Sequence, residues 1–156
     1  VRNSLFKISF IFLTLWSAMV RAEDAVVTYP ANGSFEDVLQ ALKMAVTNRG
    51  LLVSGTLHVQ DMLARTGKDL GFPDPTYLKA ESVEFCSAQM SHRMIAADPR
   101  NLVICPFTIA VYVRADEPDQ VYLGYRQIYL AGDADEETKA VLELVDDIAQ
   151  EASEGF

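Results

Sequence analysis

Apolar positions along the chain change period several times, and each change marks an element. Residues 25–29 (AVVTY) form a short predicted strand, closed by Pro30 and the turn pair Asn32-Gly33. Phe35, Val38, Leu39, Leu42, Ala45 and Val46 then follow helical spacing, with Ser34 at the cap and Gly50 at the stop. Residues 51–59 (LLVSGTLHV) are rich in β-formers and predict a second strand. A shorter, weaker helix is expected over 61–71, broken by Phe-Pro-Asp-Pro at 72–75. Residues 77–85 alternate as a strand, and 87–98 form a helix stopped by Pro99. Residues 101–113 (NLVICPFTIAVYV) predict one long strand with a bulge, bend or edge at Pro106. Residues 121–130 (VYLGYRQIYL) pair back on it as a hairpin. Asp135 caps a last helix whose Val141, Leu142, Leu144, Val145 and Ile148 make an apolar face, and residues 152–156 are expected to fray.

The order β-α-β-α-β-α-β-β-α predicts one α+β domain, a single sheet covered by helices. There is no internal repeat, linker or low-complexity stretch. The 156 residues, half of them hydrophobic and 22% charged, suit one globular domain rather than a disordered chain.

Residues 1–22 change that picture. Arg2 and Lys7 precede an apolar run from Ile8 to Val20, and small or neutral residues follow. This is the layout of a secretory signal peptide cut after Ala22, leaving 23–156 as the domain. The run is shorter than the roughly 20 residues of a membrane span, so contact with a membrane is expected only during export. With Val1 fitting a non-AUG start, the expectation is a bacterial periplasmic or secreted protein. Three of the 13 Lys and Arg residues lie in this segment and none of the 22 Asp and Glu residues does. The remainder therefore has a formal charge of −12, ten cations against 22 anions. Such a surface repels phosphate backbones, and nucleic acid is not an expected partner.

Candidate chemistry centres on the two cysteines and two histidines. Cys-x-x-Cys-His and Cys-x-x-Cys are both absent, which excludes covalent c-type haem by its usual rule and argues against a thioredoxin-type centre. Phosphate loop, dinucleotide fingerprint, nucleophile elbow and zinc-protease motif are absent too. His58 reads as an ordinary strand histidine. In "FCSAQMSH", 85–92, Cys86 ends the strand before the helix. Met90 and Met94 are four apart and share a helix face, whereas His92 points about 160° away from both. The methionines therefore read as core. Cys86 and Cys105 approach if their strands are neighbours, and the connecting helix is long enough for a parallel pair. Three readings stay open: a disulfide, favoured by export; two buried free cysteines; or a thiolate site for haem, copper or zinc. Tyr122, Tyr125, Arg126 and Tyr129 on the hairpin strand read as cross-strand packing, or as a ligand or partner surface.

The order Cys86, His92, Pro99, Pro106 within "CSAQMSHRMIAADPRNLVICPFTIAVY" resembles the family catalogued as domain of unknown function 302. The resemblance extends from "SFEDVLQALKMAVTNRGLLV" through "VYLGYR". Cys86 and His92 match the family pattern cleanly. Phe107 stands where many members place a second cysteine, and here Cys105 precedes the proline instead. The resemblance implies a mainly antiparallel sheet and a homodimer, and no established activity.

The leading functional expectation is a non-enzymatic periplasmic domain that binds a small ligand: haem, a soft metal such as copper, or a sulfur compound. Cys86 and His92 would be the metal or haem ligands, with Cys105, Tyr125 and Arg126 lining the site. The competing expectations are a thiol redox enzyme with Cys86 as nucleophile, and an interaction module braced by a Cys86–Cys105 disulfide. The sequence does not decide between enzyme and binding protein.

Overall fold

The computed structural model describes residues 25–155. The expected signal segment lies outside them. Five strands form one antiparallel sheet: β1 (Val26–Ala31), β2 (Leu52–Leu57), β3 (Tyr77–Cys86), β4 (Phe107–Arg114) and β5 (Val121–Arg126). Their spatial order is β1-β5-β4-β3-β2. The helices are α1 (Phe35–Asn48), α2 (Val59–Thr66), α3 (Ala88–Ala97) and α4 (Asp135–Glu154), with a 3-10 turn at Pro99–Ile104.

Period-2 alternation splits the sheet into two unlike faces. Phe107, Ile109, Val111 and Val113 of β4, Val121 and Leu123 of β5, and Val83 and Phe85 of β3 are all buried on one face. The apolar stripes of α1 and α4 cover it, and Val38, Leu42, Val46, Val141, Val145 and Ile148 meet the sheet there. Met94 of α3 is fully buried and Met90 packs beside the core, as their spacing predicts. Residues between these positions on β3, β4, β5 and β1 look the other way, where α1 and α4 do not reach.

Local signals built α1 as expected. Ser34 Oγ accepts from the Asp37 N–H at 3.2 Å, and the Asp37 carboxylate accepts from the Ser34 N–H at 3.4 Å. This reciprocal capping box satisfies two of the helix's otherwise unpaired donors. Gly50 closes the helix with φ 71°.

Several boundaries differ from the sequence expectation. The chain over 101–113 is not one strand: residues 101–104 belong to the 3-10 turn and β4 starts at Phe107. Side chains hold that turn. Asp98 accepts from the Arg100 N–H at 2.8 Å, and the Arg100 guanidinium holds the Asp98 carboxyl down at about 2. The buried Asn101 amide donates to the carbonyls of Met94 (3.0 Å) and Ala131 (3.1 Å) and accepts from the Ala131 N–H (2.7 Å). A strand through Asn101 would break all three bonds. β5 stops at Arg126, where its ladder with β1 ends at the pair Val26–Arg126. Asp135 is the first helical residue and Ala134 holds the cap position. The end of α4 does not fray: Ala152 is fully buried and the Ser153 carbonyl accepts from the Asn32 N–H at 3.0 Å. β3 and β4 are antiparallel neighbours, so α3 and its turn make a long excursion between adjacent strands rather than a parallel crossover.

That excursion is closed covalently. Phe85 pairs with Phe107 in the ladder, which brings the ends of β3 and β4 together. Cys86 and Cys105 form a disulfide there, with Cα atoms 6.0 Å apart and a sequence separation of 19.

Two stability changes are expected. A loop of this length implies that Cys86→Ser combined with Cys105→Ser lowers unfolding free energy by about 3 kcal/mol. Denaturant titration of the double variant against wild type measures this, and equal midpoints would contradict it. Asn101→Ala strands buried backbone groups of Met94 and Ala131 and is expected to cost about 2–3 kcal/mol in the same assay.

Candidate functional site

The residues nominated from sequence separate in space. Cys86 and Cys105 are bonded to each other, and no free cysteine remains among the described residues. In this form Cys86 offers neither a thiolate ligand nor a nucleophile. His92 is exposed on α3. The described residues contain no group of three or more His, Cys, Asp or Glu side chains that could hold a metal ion. The haem or soft-metal set of Cys86 and His92 is therefore not assembled in the oxidised chain. His58 is not a strand residue: it precedes α2, and its Nδ1 lies 3.2 Å from the Glu81 carboxylate.

A different site appears on the uncovered face of the sheet. The register aligns Thr28, Gly124, Ala110 and Ser82 in one row across β1, β5, β4 and β3. Each is small, so the row is a furrow rather than a ridge. One row along, Ala80, Tyr112 and Tyr122 are paired. Tyr122 stacks on Tyr112 with centroids 5.6 Å apart at 21°, and Tyr77 meets Tyr112 edge-on at 5.5 Å and 76°. These rings wall one side. On the other side Arg126 and Thr108 follow Gly124 and Ala110 by the same alternation. The resulting trough has a volume of about 520 Å³. Val26 of β1, Val59 of α2, Glu81 and the Tyr125 backbone segment complete its rim.

Gly124 keeps the trough open. A Cβ placed on it would sit 3.4 Å from Tyr112 Cε1 and 3.7 Å from Thr28 Oγ1. Any larger side chain there would fill the hollow between the ring and the strand.

The charges around the trough are unequal. Glu81 is engaged by His58. Arg114, at the far end of β4, is held by Asp116 and Glu117. Tyr122 donates to Glu117 at 2.6 Å, and that bond raises its pKa. Arg126 is exposed and has no carboxylate partner among the described residues. It is an uncommitted cation in a strongly acidic chain.

Tyr125, grouped with Arg126 on sequence grounds, points the other way. Its ring is buried among the helices and its hydroxyl donates to Asp146 of α4 at 2.5 Å. Tyr29 of β1 donates to the same Asp146 oxygen at 2.5 Å, and Gln150 donates to the other at 2.8 Å. Burial, and then the bond to an acceptor carboxylate, push both tyrosine pKa values up. This cluster ties α4 to β1 and β5 through the Tyr29 and Tyr125 side chains.

Sequence reasoning missed Tyr77, Ser82, Thr108, Ala110, Tyr112 and Gly124. The available signal was the second register of the alternation. In "FTIAVYV" the residues between the large apolar ones are Thr108, Ala110 and Tyr112; in "VYLGYR" they are Tyr122, Gly124 and Arg126. Both sets mix aromatic rings with unusually small residues.

The comparisons with known proteins concern this whole fold. The chain is similar over most of its length to the crystal structure of an uncharacterized conserved DUF302 protein from Bacillus stearothermophilus. The two superpose with a TM-score of 0.68 at 13% identity, covering 83% of this chain and 99% of that one. At that identity the likeness concerns the fold alone. No curated protein matches the chain. The model of the domain of unknown function DUF302 matches residues 27–154, from the first strand to the end of the last helix, and the chain therefore belongs to that family.

Proposed function

We propose that the protein is a non-enzymatic binding domain that holds a small organic anion with a flat apolar body in the open-face trough. The Arg126 guanidinium takes the anionic group. The small residues Ser82, Ala110 and Gly124 let the body lie against the sheet, with Tyr112 and Tyr77 beside it. One observation carries the reading: an arginine with no carboxylate partner among the described residues stands at the end of a trough floored by the small side chains Ser82, Ala110 and Gly124 of three adjacent strands. Guanidinium recognises carboxylate and phosphate through two parallel hydrogen bonds, and tyrosine adds area at low entropic cost. A pocket of this size suits a small molecule.

The reading keeps the small-ligand expectation and moves its site from Cys86 and His92 to the sheet. Export belongs to the same proposal. A disulfide persists in an oxidising compartment, which is what the basic-then-apolar segment 1–22 implies.

Calorimetric titration with 2-naphthoate tests the site. A charged hydrogen bond contributes about 1.5–3 kcal/mol. Arg126→Gln should therefore weaken binding roughly tenfold or more. Gly124→Val should abolish it, with circular dichroism reporting whether the fold is intact. Absence of binding by wild type, or unchanged binding by Arg126→Gln, would reject the site.

A further inference from the structure

We infer that the ligand of the trough is an anionic amphiphile whose apolar tail runs under α2, with its head on Arg126. This rests on the trough being the binding site. It goes beyond that reading by assigning a second cavity to the same ligand.

The second cavity lies between α2 and the segment that returns from it to β3. It has a volume of about 650 Å³, and its apolar lining is Leu63, Ala64, Leu70, Phe72, Pro73 and Pro75. Lys68 and Asp74 also line it. The linings of the two cavities adjoin at two points. Val59, which lines the trough, and Leu63, which lines the groove, are one turn apart on the same face of α2. Thr76 of the groove is followed directly by Tyr77 of the trough.

The apolar residues here have no occupant among the described residues. α2 buries none of its eight residues. Leu70 is 68% exposed and Phe72 73% exposed, and Met62 and Leu63 are exposed as well. Connecting loops are normally polar, and clustered exposed apolar side chains mark a ligand or partner site. Charge complementarity selects the ligand. The cation is at the β5 end, and the apolar groove is beyond β3. From Arg126 to Ala80 the span is four residues along the strands and two strands across. That is about 17 Å at a rise near 3.4 Å and a strand spacing near 4.8 Å. An inorganic anion or a short acid covers one end only. A long-chain carboxylate places its charge on Arg126, crosses the small-residue floor, and buries its tail against Leu63, Leu70 and Phe72.

Titration of the delipidated protein with octanoate, dodecanoate and hexadecanoate, below their micellar concentrations, tests the assignment. Affinity should rise along the series, by about fourfold for each methylene that enters the groove. Phe72→Ser and Leu70→Ser should each flatten that rise while leaving octanoate binding unchanged. These residues are exposed, so the substitutions leave the core intact. Arg126→Gln should weaken all three acids by the same factor. Equal affinities along the series, with Arg126 dependence retained, would overturn the tail site and leave the trough reading standing. Binding of none of the acids, or loss of Arg126 dependence, would overturn both.

Discussion

The pairing of Phe85 with Phe107 is the constraint on which the rest of the molecule depends. The two rings meet edge-on at 5.8 Å in the fully buried layer, and their backbones are opposite one another in the β3–β4 ladder. Side chains alternate strictly along a strand, so a slip of one residue would turn Phe85, Val83, Ile109 and Val111 out to water. Fixing this one pair fixes the others: Ser82 against Ala110, Ala80 against Tyr112, and Cys86 within reach of Cys105. The furrow on the open face and the disulfide at its edge are both consequences of how the opposite, buried face packs.

The helix layer is attached at the other side of the sheet by polar contacts as well as apolar ones. Asp146 of α4 receives the hydroxyls of Tyr29 and Tyr125 from two adjacent strands. A carboxylate so placed fixes the rotation of α4 about its axis, which apolar side chains alone would fix less sharply. It also takes the Tyr125 ring away from the open face. Arg126, the next residue, stays on that face. The opposite directions of Tyr125 and Arg126 at consecutive positions follow from alternation.

What could be read from the sequence was local. The capping box at Ser34, the helical spacing in α1 and α4, and the burial of Met94 needed only a few residues of context. The family pattern correctly implied an antiparallel sheet, where spacing alone had allowed a parallel pair. The turn at Pro99–Ile104 was not legible, because Asn101 makes its decisive bonds to Ala131, 30 residues away. Its apolar neighbours Leu102, Val103 and Ile104 imitated a strand. The trough was hidden for the same reason at larger scale. Ser82, Ala110 and Gly124 are unremarkable separately, and become a floor only once three strands are in register. The rare residue types do not lead to this trough: Cys86 is bonded to Cys105 at a strand end, and His92 is exposed on α3.

The two ends of the trough differ in how firmly they are held, and the difference bears on how a ligand would enter. Near Thr108, β3 and β4 are tied by the Cys86–Cys105 disulfide and by the buried phenylalanine pair. At the other end α2 contributes Val59 to the rim but buries nothing, and its cap position has no side-chain hydrogen bond. Segments with few buried apolar contacts open at low free energy. A bound tail would supply the apolar contacts that α2 lacks, so ordering of this helix and occupation of the groove would be one event. The head-group end requires no such adjustment. Arg126 is already exposed at the last residue of β5, so an anion would meet it without that ordering.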